Sequence, residues 1–424
     1  MLGGKLVATG SSSCIFKPNF PCKKTNKIDN SRISKIVYSP QAFEESKDEK
    51  RINDYIKKIR GYSKWAIIFD EYCKPMNSDL LEKYDSEGIN QCFNNEEDDY
   101  LIDDFDFNSY MMNGPYGGIT LNEYFEDKLY NLIDNNKKFT DEFYNLMKKI
   151  EPLFLGLKTM NDKKLVHNDI KYNNIVLQDG VFKYIDFGLS ELLSKKSHFK
   201  NRSLEEFNTG RIYLFYPLDY LLHYVSKQKV KEEITKIEKY NYRRNFEELN
   251  EVYLLFGRYL IDAYYHLQDT TYTETKMIQG IDTYSLGILI PQLFLFNTKF
   301  GETNYPGELF INNILSKNTM VQEFFTLFGM MTNPKLNERI KPEYAYKEFK
   351  RLLKKYNNSS KRSTKKTNKK VIKRKNKKSV NKKRSIISTK RKRGNITSRK
   401  RNITPRKRNI TPRIIERVNM RRKA

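Results

Sequence analysis

The chain has 424 residues and a formal net charge of +28, and this charge is confined to one end. Residues 361–424 hold 29 of the 79 Lys and Arg residues and a single acid, Glu416, so residues 1–360 are neutral overall. This distribution excludes a uniformly basic nucleic-acid coat protein. It predicts a balanced globular body, long enough for two domains or lobes, joined to a cationic tail.

The cysteines and the apolar segments predict an intracellular protein. Four cysteines without a CxxC pair are too few for a disulfide scaffold, so they predict free thiols in a reducing compartment. The first residues lack the apolar core of a signal peptide, and the most apolar window, 281–296, is too short and too polar to span a bilayer. We therefore expect a cytoplasmic or nuclear protein that is not secreted and has no membrane contact.

Short β-like runs open the chain. The runs 5–9, 14–17 and 32–38 are separated by Gly, Ser and Pro, which favours strands. Ser39-Pro40 then predicts the start of a helix, whose apolar stripe consists of Ile52, Tyr55, Ile56 and Ile59.

Further strands are predicted at 65–73 and 109–112, and from Thr120 onward the patterns are mainly helical. The chain therefore predicts an α+β fold with a small β-rich lobe, 1–113, followed by a larger helical lobe, 114–356.

Two segments differ from this body in composition. Residues 79–106 carry eleven acids and one base, which predicts a mobile acidic insertion in a surface loop. Residues 357–424 end in a seven-residue repeat that begins at Asn395, Asn402 and Asn409. Because the repeat has too little apolar surface to bury a core, it predicts a disordered basic tail.

The most informative stretch is Leu-Val-His-Asn-Asp-Ile-Lys-Tyr-Asn-Asn at 165–174, followed by Ile-Asp-Phe-Gly at 185–188. Two apolar runs each lead to an aspartate, Asp169 and Asp186, and Lys171 and Asn174 follow the first. Phosphoryl transfer needs such groups, because a carboxylate must accept the proton of the attacking hydroxyl, a cation must lie near the phosphoryl group, and oxygen ligands must hold Mg²⁺.

This stretch resembles the catalytic and metal-binding loops of the eukaryotic-type protein kinase family. The resemblance implies a bilobal kinase fold that uses ATP and Mg²⁺ and acts on protein substrates. It implies that Asp169 is the catalytic base, that Lys171 contacts the γ-phosphate, and that Asn174 and Asp186 bind Mg²⁺. Lys171 further implies Ser/Thr specificity.

The resemblance extends to a reduced nucleotide loop. The family pattern GxGxxGxV corresponds here to Ala8, Gly10, Ser13 and Ile15. Small residues still allow backbone N–H groups to approach phosphates, and Ile15 would cover the adenine by apolar contact.

The resemblance also implies a lysine that anchors ATP and pairs with a glutamate on the next helix. Lys35 lies in an apolar strand, where a buried ammonium needs a partner. Glu45 and Glu49 both lie on the Ile52 face of the predicted helix, and we favour Glu49.

Three downstream residues fit the same family. Asp282, in Asp-Thr-Tyr-Ser-Leu-Gly, resembles the aspartate that tethers the catalytic loop. Asp219, in Tyr-Pro-Leu-Asp, resembles the acid that closes the activation segment, and we expect it to pair with Arg339.

The chain also departs from the family pattern. Asn168 replaces the arginine that grips a phosphorylated activation loop, so we expect activity without phosphorylation of that loop. The long interval between Asp186 and Asp282 predicts an inserted helical element at about 220–275. The overall pattern is most similar to divergent kinases of giant nucleocytoplasmic DNA viruses, which implies a role in the host cell or the virion.

Two alternatives remain open. The chain could be a small-molecule kinase of the aminoglycoside or choline type, or a pseudokinase scaffold whose tail binds nucleic acid. Residues 361–424 would bind nucleic acid or another polyanion by counterion release, or would dock on the acidic insertion. We expect the body to be monomeric.

Overall fold

The computed structural model describes residues 4–9, 13–22, 28–37, 40–75, 78–93, 109–208, 214–226, 228–229, 232, 273–295 and 307–357. The strands are β1 (Lys5–Thr9), β2 (Ser13–Lys17), β3 (Arg32–Val37), β4 (Glu71–Cys73), β5 (Tyr110–Pro115), β6 (Leu165–Val166), β7 (Ile175–Gln178), β8 (Val181–Tyr184) and β9 (Glu191–Leu192). The helices are α1 (Pro40–Lys57), α2 (Ser78–Phe93), α3 (Leu121–Lys128), α4 (Asn136–Asp162), α5 (Lys196–Asn208), α6 (Leu218–His223), α7 (Glu274–Leu295), α8 (Glu308–Phe310), α9 (Thr319–Met331) and α10 (342–357). Single turns of 3₁₀-helix lie at Tyr62–Lys64, Tyr130–Leu132 and Tyr172–Asn174, and a π-helical turn lies at Ile311–Leu315.

The N-terminal part is an antiparallel sheet of five strands in the order β1-β2-β3-β5-β4. The predicted first strand is confirmed, and the next two are correct to within one residue. The prediction of one continuous strand over 65–73 was wrong, because only Glu71–Cys73 of this segment pair as a strand, β4. Trp65 is instead buried, and Ala66 forms an isolated bridge to Tyr184.

Helix α1 packs one face against this sheet. Ile52 and Ile56 are fully buried, as the apolar stripe predicted, and the polar residues Ser46, Glu49 and Asn53 are buried as well. A helical face that buries polar groups must provide them with partners. This face of α1 therefore contributes polar groups as well as apolar ones, and its buried glutamate, Glu49, belongs to the site described below.

Helix α2 occupies much of the segment that was expected to be a mobile acidic loop. That expectation was wrong for residues 79–93, while residues 94–106 lie outside the described residues. Leu81 and Ile89 are buried against the sheet, and the Asp85 carboxylate accepts a hydrogen bond of 2.9 Å from the Leu6 backbone N–H. The backbone of Asp85 is not helical, so Leu81 and Ile89 lie on either side of a kink in α2 and both pack against the sheet.

Two disulfides fasten the N-terminal part. Cys14 in β2 is bonded to Cys92 in α2, and Cys22 is bonded to Cys73 in β4. All four cysteines lie among the described residues and all are paired, so the expectation of free thiols was wrong. Disulfides persist mainly in oxidising surroundings, so the cysteines no longer support a reducing compartment.

The C-terminal part is mainly helical and is organised around α4, a helix of 27 residues. Helices α7 and α9 pack near it through a cluster of aromatic rings that includes Phe139, Phe143, Phe294 and Phe324. Residues 281–295 of the most apolar window lie in α7 and are largely buried. Within the described residues, no helix combines the length and the apolar character that crossing a membrane requires.

The predicted start of the insertion, at about residue 220, falls inside a packed helix. Tyr220 and Leu221 are buried in α6 and belong to the same core cluster as Ile278 and Ile281 of α7. The remainder of the insertion, 233–272, and the basic tail from residue 358 lie outside the described residues. The described residues up to 350 form one compact unit, and the end of α10, residues 351–357, is assigned to a second.

The disulfides generate a prediction about stability. Cys14 and Cys92 are 78 residues apart, and a cross-link that closes a loop of this length stabilises a fold by about 4 kcal/mol. We expect the double variant Cys14→Ser/Cys92→Ser to lose stability of this order in denaturant unfolding. A reductant should destabilise the native protein by more than it destabilises this variant. Equal stability of the variant and the native protein would contradict the prediction.

Candidate active site

The loop between β6 and β7 carries the sequence His-Asn-Asp-Ile-Lys and is anchored from a distant helix. The backbone N–H groups of His167 and Asn168 donate to the two carboxylate oxygens of Asp282 at 2.7 and 3.0 Å. The expected tether is therefore confirmed. Burial raises the pKa of Asp282 above its ordinary value, although His167 and the two donated hydrogen bonds partly offset this effect.

Asp169 lies at the centre of this loop and is almost completely buried. The Asn174 amide donates to the Asp169 carboxylate at 2.7 Å and to the Asp169 carbonyl at 3.0 Å. Lys171 places its ammonium 2.9 Å from the same carboxylate oxygen. The local spacing of the motif thus brings three of the predicted residues together, because a single turn of 3₁₀-helix folds Asn174 back over the loop.

Asp186 follows β8 and lies beside the same loop. The Ile185 N–H donates to the Asn174 carbonyl at 3.0 Å, which places the two predicted metal ligands on adjacent backbone segments. The backbone of Asp186 has φ of 60°, a left-handed conformation that aspartate adopts more readily than most residues. This turn directs the chain out of the β7-β8 hairpin and into the segment that follows.

Lys35 joins the sheet, helix α1 and Asp186. Its ammonium lies 3.2 Å from Glu49 Oε2 and 3.0 Å from Asp186 Oδ1, and the Glu49 side chain is only 3% exposed. Burial favours the neutral amine, but the carboxylates of Asp186 and Glu49 outweigh it and raise the pKa of Lys35 above its ordinary value. Conversely, the charge of Lys35 overcomes the effect of burial and lowers the pKa of Asp186.

Two residues of the predicted nucleotide loop, Ala8 and Ile15, lie in one row with Lys35 across the sheet. Ile15 is in register with Ala8 on one side and with Lys35 on the other. Directly paired residues of an antiparallel sheet share a face, so these side chains form one row. Ser13 begins β2, whereas Gly10 lies outside the described residues. The Glu45 side chain, the alternative partner of Lys35, is not among those described.

The groups gathered here fit a nucleotide and a divalent cation. Asp186 and Asn174 offer carboxylate and amide oxygens, which are ligands that Mg²⁺ accepts when phosphates and water complete its coordination. Lys35 and Lys171 offer ammonium groups for phosphate oxygens. The Asp169 carboxylate, held in place by Asn174, can accept a proton from a hydroxyl group.

Other contacts bear on the site. The carboxylate of Asp219 and the guanidinium of Arg339 form a buried pair with N–O distances of 2.5 and 3.4 Å, so the expected pair is confirmed. Sequence motifs did not reveal the hydroxyl of Tyr216, which donates to the Asn168 carbonyl at 2.6 Å. Nor did they reveal the hydroxyl of Ser190, which donates to the His167 carbonyl at 2.8 Å. Because both acceptors are backbone atoms, no side-chain pattern marks them.

Comparison with known families gives one match. Residues 110–214 match the family model of the protein kinase domain, which is about a quarter of the chain. The matched residues include Asp169, Lys171, Asn174 and Asp186 but exclude Lys35 and Glu49. No curated protein matches the chain. The match supports a protein kinase domain, a fold of mixed helices and strands, and phosphate transfer to proteins with ATP and Mg²⁺.

The contacts of Lys35 predict its contribution to stability. Replacing it in Lys35→Met leaves the buried Glu49 carboxylate without its cation, which should cost about 3 kcal/mol in denaturant unfolding at pH 7. Adding Glu49→Gln removes the buried charge and should recover part of the loss. Lys58→Met, which removes an exposed lysine near the end of α1, serves as the control. Equal stability of Lys35→Met and Lys58→Met would contradict this interpretation.

Proposed function

We propose that the chain is an ATP-dependent serine/threonine protein kinase with a bilobal fold. The observation that carries the proposal is the meeting of Lys35, Glu49 and Asp186 beside a loop in which Asp169 contacts Lys171 and Asn174. Residues as far apart in the chain as Lys35 and Asp186 thereby meet at one site. Of these residues, Lys35 and Glu49 lie outside the region that matches the kinase family. The lobe boundaries, 1–113 and 114–356, belong to the same proposal.

In this function each residue has a distinct role. The acceptor hydroxyl attacks the γ-phosphorus while the bond to the β–γ bridging oxygen breaks, so that ADP leaves and the hydroxyl proton passes to Asp169. Lys171 neutralises charge on the transferred phosphoryl group, and Lys35 orients the other phosphates. Mg²⁺ held by Asn174 and Asp186 would offset the charge of the phosphates. Ala8, Gly10 and Ser13 would approach the phosphates through their backbone, and Ile15 would contact the adenine.

The preference for serine and threonine rests on Lys171, whose ammonium lies against the Asp169 carboxylate.

The resemblance to giant-virus kinases, and with it a place in the host cell or virion, remains part of the proposal. An intracellular location was expected partly from free thiols, and the disulfides now count against that part of the argument. Binding of a polyanion by residues 361–424 and a monomeric body likewise remain predictions from charge and composition.

The central prediction concerns Asp169. In Asp169→Asn the amide cannot accept the hydroxyl proton, so transfer of the γ-phosphate to myelin basic protein or histone should fall by at least about a hundredfold. Binding of ATP should be retained. Asp179→Asn, which alters the exposed turn at the far end of the β7-β8 hairpin, should leave the rate unchanged.

The alternatives give different results in this assay. Retained ATP binding without transfer to any acceptor by the native protein would indicate a pseudokinase. Transfer to an aminoglycoside or choline, but not to proteins, would indicate a small-molecule kinase.

A second prediction concerns activation. Asn168 is completely buried, and its carbonyl is engaged by Tyr216, so it cannot contact a phosphate on the activation segment. Protein made in a host without protein kinases and then treated with a phosphatase should therefore be fully active. An enzyme that stays inert until an upstream kinase phosphorylates it would contradict this prediction.

The tail provides a third prediction. If residues 361–424 contact nucleic acid through phosphates, deleting them should abolish retention on immobilised DNA and the steep dependence of that retention on salt. The phosphate-transfer rate on a short peptide should be unchanged. Retention of the same strength and salt dependence after the deletion would show that another surface binds the nucleic acid.

A further inference from the structure

Helix α1 makes a second contact with the segment that follows Asp186. Arg51 lies two residues after Glu49. Its two terminal guanidinium nitrogens each donate to one oxygen of the Glu191 carboxylate, at 3.1 and 2.5 Å. Parallel hydrogen bonds of this kind fix the orientation of both groups, which a single lysine contact would not do. The pair connects residues 140 positions apart in the chain.

Glu191 is itself firmly attached to the catalytic loop. It lies in β9, opposite Val166 of β6, and β6 leads directly into His167. The preceding residue, Ser190, donates through its hydroxyl to the His167 carbonyl. The Leu192 N–H donates to Glu191 Oε1 at 2.7 Å. Glu191 is therefore connected, through the β6-β9 pairing and the Ser190 hydrogen bond, to the backbone that leads to Asp169.

The environment of the pair distinguishes it from the other ion pairs of α1. The Glu191 side chain is 7% exposed, whereas the Arg51 side chain is 43% exposed. Lys50 and Asp54, by contrast, form an exposed i,i+4 pair, of the kind that contributes little to stability. A buried carboxylate that loses its cation is costly, so Glu191 holds Arg51 in place. Asp48 also contacts Arg51, at 3.2 Å, from the same helix.

We propose that the Arg51–Glu191 pair positions helix α1, and thereby keeps Glu49 on Lys35, without any phosphorylated residue. The proposal rests on the kinase function proposed above. It assigns to a fixed glutamate the ordering role that a phosphate on the activation segment would otherwise perform, which fits the complete burial of Asn168. Arg51 and Glu191 are positioning residues, since neither touches Lys35 or Asp169 in the described contacts.

The first test compares Arg51→Gln with Lys50→Gln. Losing the anchor should speed hydrogen exchange in the α1 backbone. Lys50→Gln, which removes the exposed pair with Asp54 and a cation–π contact with Tyr72, should leave exchange unchanged. This measurement does not depend on enzyme activity. Unchanged exchange in Arg51→Gln would overturn the positioning proposal even if the chain transfers phosphate. Failure of the native protein to transfer phosphate would instead refute the proposed function.

The second test measures phosphate transfer by the full chain. Arg51→Gln should lower kcat about tenfold, which lies within the coupling range of contacting residues. Arg51→Lys, which keeps the charge but not the paired geometry, should recover only part of this loss. Glu191→Gln should resemble Arg51→Gln, and the double variant should be no worse than either single variant.

A further pair of variants separates positioning from general destabilisation. If Arg51 acts through Glu49, then Arg51→Gln should have little additional effect on kcat in a Glu49→Gln background. Fully additive losses in kcat would show that Arg51 acts elsewhere and would overturn the proposal. Unfolding measurements on each variant give the folded fraction by which the rates are corrected.

Discussion

The contact of one ammonium group with two carboxylates holds the site together. Lys35 comes from the sheet, Glu49 from a helix packed on it, and Asp186 from the turn after a distant hairpin. The Glu49 carboxylate would be costly to bury alone, and the buried amine of Lys35 would lose its charge without the two carboxylates. The three groups therefore stabilise one another only when the sheet, helix α1 and the β7-β8 hairpin are correctly placed. The site and the packing around it depend on each other.

A second constraint acts on the catalytic loop, whose shape is set by groups outside it. Asp282 accepts two of its backbone N–H groups, and the hydroxyls of Ser190 and Tyr216 donate to its carbonyls. Side chains of other elements thus hold four backbone groups of this loop, two N–H groups and two carbonyls. Such an arrangement fixes the Asp169 carboxylate before any ligand arrives, which reduces the reorganisation needed during a reaction.

The features that could be predicted from the sequence are those with local causes. Asp169, Lys171 and Asn174 come together because a single turn of 3₁₀-helix lies between Lys171 and Ile175. Contacts between residues so close in the chain can be predicted from a sequence motif. Helix α2 was missed because an abundance of acids masked its apolar face, which becomes evident only when β2 lies beside it. The disulfides and the Arg51–Glu191 pair were missed for a related reason. They join residues 51 to 140 positions apart, and spacing carries no information about such contacts.

The two disulfides also determine how the protein should be prepared. Both lie in the part of the chain that contains Lys35 and the nucleotide loop, and one begins at Cys14, directly after Ser13. Material produced in a reducing cytosol would keep Asp169 and Asn174 intact but would lack the covalent links of the N-terminal sheet. An inactive preparation of that kind would report on the oxidation state of four sulfur atoms and not on the chemistry of the catalytic loop. Expression with disulfide formation is therefore needed to obtain the molecule with both cross-links in place.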